Sequence, residues 1–328
     1  MASEATGIPV VVEGLGEVGR AVARAVLSTP DLRLVGAVDP ACAKQKLDAI
    51  VGLPTGLEVE ADPARSLRAA RGGVLLLAGS SRFLEVLPAI ERAVRAGLCV
   101  VSTCEELAYP WLAHEEEADA LDALCERNDV AVVAAGVMPG LALDRLPALL
   151  SQGTGDVRRL DARRIVDIAG RSEATWRMAG VGLPLAEFER AVEIEAIGHV
   201  GLAESATLAA LGCGLDLDEL EEDTEPVLAT RDLAGPLLVQ KGGVAGIRQV
   251  ARGWQDGREV VRLEVVLAVG AEDPRDEVRI EADPPLRLVV PGGFPHEAST
   301  AWSVVHAAAA VPMLQGLVTV LDLPPGRS

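Results

Sequence analysis

Two adjacent carboxylates, Glu105 and Glu106, directly follow Cys99-Val100-Val101-Ser102-Thr103-Cys104 and precede Tyr109 and Trp111. A carboxylate at the mouth of an apolar segment can serve as a general base, because a partly dry environment raises its pKa towards neutrality. Cys99 to Ser102 is short, β-rich and preceded by Gly97, which reads as a buried parallel strand. Open α/β sheets place their ligands at the C-terminal edge of such strands. Successive side chains of an extended segment point to opposite sides, so only one carboxylate should face a site, and Glu105 is preferred. The competing reading is helix-start charge, since acids favour a helix N-terminus by about 0.3–1 kcal/mol. With one Tyr, three Phe and four Trp in the chain, Tyr109, Trp111 and Trp176 are weighed as pocket walls against ordinary core rings.

The elements that must position these groups begin with Ile8 to Val12, a continuous apolar strand followed by Gly14-Leu15-Gly16-Glu17-Val18-Gly19 and an amphipathic helix, Glu17 to Leu27. This is Gly-x-Gly-x-x-Gly between strand and helix, where the glycines permit a tight turn, pyrophosphate approach and close packing. A second strand, Leu32 to Val38, ends in Asp39, twenty residues beyond Gly19, where a carboxylate binds the adenosine ribose. Asp39 favours NAD, whereas Lys44 and Lys46 could serve the phosphate of NADP or form a solvated helix face. Leu57 to Glu60 reads as a short strand, and Val74 to Ala78 as a buried one stopping at Gly79-Ser80-Ser81. Those serines either touch cofactor or cap the helix Phe83 to Ala96. A helix from Trp111 to Asn128 and a strand from Val130 to Ala134 complete a Rossmann pattern.

Beyond Gly136-Val137-Met138-Pro139-Gly140-Leu141 the pattern changes. A strand from Val157 to Ala169, a helix around Glu187, and Gly198-His199-Val200-Gly201-Leu202 opening a helix precede β-rich runs at Val244 to Trp254 and Val260 to Val269. Gln255-Asp256-Gly257 between those runs is a hairpin signal. Two more strands, Val278 to Glu281 and Leu286 to Val290, imply a mainly antiparallel sheet. The expected fold is α/β: an N-terminal Rossmann dinucleotide-binding domain (1–145) with a C-terminal α+β domain (146–297), then a C-terminal helix (298–328) packing back on the Rossmann domain. His199, at the head of a helix, either lines a substrate pocket or is a satisfied structural histidine.

Bulk properties narrow the function. At 328 residues two domains are expected. A formal net charge of -19 argues against a nucleic-acid partner, which would require clustered cations. Met1 to Pro9 lacks a secretory pattern, and the tract Val304 to Leu323 is broken by His306, Pro312, Gln315 and Gly316, so a buried core helix is expected rather than a membrane span. The N-terminal pattern makes a cytoplasmic protein the expectation, and the five cysteines, odd in number and without Cys-x-x-Cys spacing, point to reduced thiols and no metal site.

With Gly14 to Gly19, Ser102-Thr103-Cys104-Glu105-Glu106-Leu107, Gly136 to Leu141 and Gly198 to Leu202 in place, the chain resembles the native amine dehydrogenases and the related 2,4-diaminopentanoate dehydrogenases. Their fold is similar to dihydrodipicolinate reductase. The similarity extends through Val244-Ala245-Gly246-Ile247-Arg248-Gln249-Val250 and Leu321-Asp322-Leu323-Pro324. The resemblance implies NAD(P)H-dependent reductive amination of ketones or aldehydes with ammonia, and the reverse oxidative deamination. It implies a catalytic glutamate at Glu105 or, second, Glu106, and a homodimer through the sheet of the second domain. It puts Met138 and Pro139 at the cofactor and Leu141 and Ala142 at the substrate. Two departures stand out: Met138 and Leu141 replace the family's Asn and Phe, which implies a wider, more apolar pocket, and the family's Gly-Gly-x-x-Gly-Asp reads Gly292-Gly293-Phe294-Pro295-His296-Glu297. A diaminopentanoate-type enzyme would need a cationic anchor, for which Arg171, Arg177 and Arg248 are candidates. A non-catalytic dinucleotide sensor is the third class.

Overall fold

The computed structural model describes residues 7–326. Residues 1–6, most of the N-terminal segment read above as lacking a secretory pattern, lie outside the described residues. The chain divides into two compact units: residues up to Leu141 together with those from Pro295 onward, and Ala142–Phe294.

The first unit opens with β1 (Ile8–Glu13), α1 (Glu17–Leu27), β2 (Leu32–Val38), α2 (Leu47–Val51), α3 (Ala64–Ala69), β3 (Val74–Leu77), α4 (Phe83–Arg95), β4 (Cys99–Ser102), α5 (Glu115–Asn128) and β5 (Ala131–Ala134). β3, β4 and β5 are buried at every position, as expected of parallel strands covered on both faces. The expected strand Leu57 to Glu60 is corrected to isolated bridges, Val38 to Glu60 and Lys46 to Glu58, with only Val59 buried in the core. The expected helix Trp111 to Asn128 is also shorter, because a 3₁₀ turn at Pro110–Leu112 precedes α5.

The second unit runs α6 (Arg145–Ser151), β6 (Arg159–Asp167), α7 (Glu173–Met178), α8 (Leu185–Glu193), α9 (Leu202–Cys213), β7 (Glu219–Leu228), β8 (Val244–Gln255), β9 (Arg258–Ala268), β10 (Arg275–Glu281) and β11 (Leu286–Pro291). Its sheet has the order β11-β10-β6-β9-β8-β7, with β6 and β9 parallel and the other pairs antiparallel. Asp256 and Gly257 take φ 50° and 71°, the left-handed pair that a tight two-residue hairpin requires. β7 escapes sequence reading because Glu219-Leu220-Glu221-Glu222-Asp223 looks like an acidic loop. It is an edge strand, where Pro226 is tolerated.

Strand alternation gives this sheet two chemically different faces. Leu160, Ala162, Val261, Leu263, Val265 and Ile247 are buried on one face, where α9 packs on β8 and β9. The other face carries a lattice of ion pairs: Arg163 and Arg248 share Glu264, while Arg275, Arg279 and Arg287 share Glu277. Burial alone would push the Glu277 carboxyl up, but hydrogen bonds from those three arginines outweigh it and hold it at about 2.

The chain then returns to the first unit with α10 (His296–Ala310), which packs against α1, and β12 (Gly316–Val318). The single buried helix expected over Val304 to Leu323 is therefore corrected. Pro312 lies in a 3₁₀ turn and Gly316, at φ 91°, starts a strand that pairs in parallel with β5. The resulting six-stranded parallel sheet has the order β12-β5-β4-β3-β1-β2. Its order reverses at β1 and β3, and at such a switch point the carboxyl ends of the strands open a crevice for ligand.

Candidate active site

At the carboxyl end of β1 the three glycines of the first motif do different work. A Cβ on Gly14, whose φ is 90°, would lie 2.1 Å from the Ala78 carbonyl oxygen, and one on Gly19 would lie 1.8 Å from that of Gly14. A Cβ on Gly16 would meet nothing within 4 Å. Gly14 and Gly19 thus allow strand and helix to close, whereas Gly16 leaves space at the head of α1 where amides and helix dipole favour an anion. Asp39, at the end of β2, accepts from Leu15 N and Ala41 N, each at 2.8 Å, so its carboxylate is tied to the glycine loop. Glu17 and Val18 begin α1. These residues fit a dinucleotide with its pyrophosphate over Gly16 and its ribose at Asp39. Lys46 pairs with Glu58 at 3.4 Å, while Lys44 is exposed, with φ 68°.

The ends of β3 and β4 are laced together beside that loop. Ser81 O accepts from Glu106 N and from Cys104 Sγ, both at 3.2 Å. The Glu106 carboxylate accepts from Phe83 N at 2.6 Å, capping α4, and from Arg82 Nη1 at 2.7 Å. His114 Nε2 lies 3.8 Å from the same carboxylate. The serines therefore do not cap α4 as expected: Ser80 Oγ accepts from Arg82 N just ahead of the helix, and Ser81 hydrogen-bonds to the Glu105 side chain. Gly79 is exposed at the same edge.

The two neighbouring carboxylates differ sharply. Glu106 is built into the start of α4, whereas burial pushes the Glu105 carboxyl up to about 7 against the lowering effect of the Ser81 hydrogen bond. They diverge for a reason other than strand alternation. Glu105 is helical, with φ -69° and ψ -43°, and leads a 3₁₀ turn at Glu106–Ala108. Burial raises the neighbouring Cys104 thiol to about 12, which keeps it protonated and unreactive.

The remaining sequence candidates fall in different surroundings. Tyr109 is half-buried, its ring 5.5 Å from that of Trp111. Met138 and Pro139 lie in a buried turn closed by Gly140, whose Cβ would stand 2.6 Å from Gly136 N. Leu141 is half-buried and Ala142 fully buried. Trp176, weighed above as a pocket wall, is corrected to a core ring of the second unit. It is 0% exposed, its indole N–H donates to Ile168 O at 2.8 Å, and a Cβ on Gly235 would touch it at 2.4 Å. His199 is half-buried, with both its backbone polar groups bonded to Gln249. All five cysteines are free. Among the described residues no group of three His, Cys, Asp or Glu could hold a metal, and no helix is long and apolar enough to cross a membrane.

Sequence reasoning passed over Gln249, which it quoted in a motif without a role, and the buried pair Arg164–Asp276. Asp276 accepts from Arg164 Nη1 at 2.6 and 2.7 Å and from Phe294 N at 2.7 Å, pinning the turn after Gly292-Gly293. The available signal was period-2 alternation. Arg164 falls on the apolar side of β6, where a charge is retained only with a partner.

Known proteins share this architecture. The chain is 27% identical over 345 residues to 2,4-diaminopentanoate dehydrogenase of Acetoanaerobium sticklandii, covering 98% of this chain and 94% of the relative. It is 29% identical over 232 residues to an amine dehydrogenase of Streptomyces virginiae, covering 66% and 62% respectively. The structure of amine dehydrogenase from Mycobacterium smegmatis superposes with a TM-score of 0.85 over 98% of this chain and 97% of that one, at 23% identity, a likeness of fold. The profile of the 2,4-diaminopentanoate dehydrogenase C-terminal domain matches residues 141–328, more than half of the chain. A Rossmann sheet with an open glycine loop, a carboxyl at its edge that burial pushes up and this C-terminal domain occur together, and the chain belongs to the 2,4-diaminopentanoate dehydrogenase family.

Proposed function

We propose that this protein is an NAD(P)-dependent amine dehydrogenase. It catalyses reductive amination of ketones or aldehydes with ammonia, and the reverse oxidative deamination of amines. The observation that carries the reading is Glu105, a carboxyl just beyond the C-terminal end of β4, the strand next to β3, that burial pushes up to about 7. The open Gly16 loop and Asp39 hold the dinucleotide, which supplies the hydride when bound. Near neutral pH Glu105 exchanges protons efficiently: its carboxylate takes a proton from ammonium or from the carbinolamine, and in reverse activates water. The same negative charge, in dry surroundings, stabilises an iminium carbon–nitrogen group. Ser81 orients the carboxylate through its hydrogen bond. Tyr109 offers a ring four residues further on, able to add about 1–2 kcal/mol of cation–π attraction.

The test is oxidation of NADH and NADPH with a panel of ketones and aldehydes, with and without high ammonium, for the wild type and Glu105→Ala. The expected result is ammonium-dependent turnover that rises through pH 7 as Glu105 ionises, and that falls about 10²–10⁴-fold in the variant. Turnover without ammonium would identify a carbonyl reductase instead. An active variant would remove Glu105 as the base.

A second reading, an amino-acid substrate of the diaminopentanoate type, is favoured by the full-length likeness to the A. sticklandii enzyme. Arg177 and Arg248, two of the candidate anchors, stand in ion pairs within the second unit. Arg248 holds Glu264 and Glu225 on the outer face of the sheet, opposite to Gln249, and Arg177 holds Glu173 at the surface. Adding 2-amino-4-oxopentanoate to the panel separates the readings. Activity there with none on cyclohexanone would favour the amino acid.

A homodimer and a cytoplasmic location belong to the same proposal. The first is supported by the outer sheet face, where Arg159, Arg163, Arg262 and Arg279 alternate with Asp161, Glu264 and Glu277 around a cavity of about 270 Å³. Such a mixed-sign surface is complementary to a second copy of itself. The second is supported by the five free cysteines.

A further inference from the structure

Two sequence motifs far apart in the chain, Gly198 to Leu202 and Val244 to Val250, are joined by one side chain. Gln249 is 3% exposed, on the inner face of β8. Its Oε1 accepts from His199 N and its Nε2 donates to His199 O, both at 2.8 Å, so the carboxamide spans the His199 peptide as a neighbouring strand would. The second Nε2 hydrogen points to Glu222 Oε1 on β7, at 2.5 Å. Glu222 in turn accepts from the backbone of Ala203 in the first turn of α9. The segment between these grips has Gly198 at φ 122° and Gly201 at φ 95°, and Gly201 is the cap of α9. Backbone held in those regions lacks a helix or strand ladder of its own, so its shape depends on what binds it from outside. Across the sheet, Arg248 is committed to Glu264 and Glu225, which anchors β8 and fixes the direction of the next residue.

We propose that Gln249, steadied by Glu222, is the positioning residue of the His199 loop, holding residues 198–201 in the conformation that receives the carbonyl substrate. This rests on the first of the two readings of His199 given above, that it lines the substrate pocket.

Two variants and two measurements test it. Gln249→Met keeps a side chain of similar length with no hydrogen bonds. The double change Gln249→Glu with Glu222→Gln reverses donor and acceptor between the two side chains, whereas Gln249→Glu alone sets two carboxylates against each other. Deuterium uptake is followed on the peptide covering 197–203, and kinetics on the ketone of the panel that the wild type turns over fastest. Gln249→Met is expected to speed uptake in that peptide about tenfold and to raise KM for the ketone about tenfold. The change in kcat should be smaller, with the Kd for NADH, read by fluorescence, unchanged. The double variant should recover part of the KM that Gln249→Glu loses. Unchanged uptake in Gln249→Met would overturn the proposal. A KM that rises in His199→Ala and not in Gln249→Met overturns it while leaving the His199 reading intact. A KM that rises in Gln249→Met and not in His199→Ala removes the His199 reading and the proposal that rests on it, leaving a loop that Gln249 holds for another reason. Faster uptake with no change of KM in either variant removes both.

Discussion

Two effects oppose each other at Glu105: burial strips water from the carboxylate, while the Ser81 hydrogen bond favours it. Burial prevails, and the group titrates at about 7, against an ordinary value of 4.5. An acid whose pKa rises on folding is bound more tightly by protons in the native state. Its burial therefore costs nothing below pH 4.5, and an increasing amount of stability is lost as pH rises through 7. At about 1.4 kcal/mol per pKa unit the full cost is about 3 kcal/mol. Glu105→Gln, neutral at every pH, should thus match the wild type below pH 4.5 and exceed it in unfolding free energy above pH 8. Denaturant titrations across that range read the difference directly. Equal stability at both ends would mean that Glu105 is solvated and ill suited to proton transfer at neutrality.

Helix α4 takes its N-terminal cap from a side chain 23 residues further along the chain. A carboxylate there satisfies an orphan amide, meets the positive end of the helix dipole and pairs with Arg82. The same residue's backbone N–H holds Ser81 O, so α4, the Ser80–Ser81 turn and the 3₁₀ turn that carries Glu105 form one construction. Glu106→Gln keeps the shape and removes the charge, and should cost about 1–3 kcal/mol. Calorimetry should record this as a lower Tm. An unchanged Tm would show that Arg82 and Phe83 find equivalent partners in water.

On the scale of the whole molecule, a net charge of -19 coexists with a sheet face on which arginines and acids are interleaved. In each pair a partly exposed arginine reaches a carboxylate that is largely covered, Glu259, Glu264 or Glu277. Their regular alternation suits a partner with the same pattern better than it suits water. Light scattering at micromolar concentration should give twice the chain mass of 34.2 kDa. Arg163→Glu, which sets a carboxylate against Glu264, should shift it to the single mass. A wild-type monomer would remove the dimer proposal.

Local chemistry was enough to read the Rossmann half of the protein. The glycine spacing from Gly14 to Gly19, the acid at Asp39 and unbroken apolar strands are properties of short segments, and α1 begins and ends where its sequence pattern does. In the sequence, the preference for Glu105 over Glu106 rests on strand alternation alone. What separates the two carboxylates is instead tertiary: the turn is 3₁₀, and α4, from elsewhere in the chain, binds Glu106. The same holds for Trp176, which is hidden beneath Gly235, for β12, added to the sheet edge by the end of an apolar tract, and for Gln249, whose partner is fifty residues away. Periodicity and turn chemistry act over a few residues and are written in the sequence. Burial and long-range hydrogen bonds depend on which surfaces meet once the chain has folded, and these decide what each candidate side chain is bonded to.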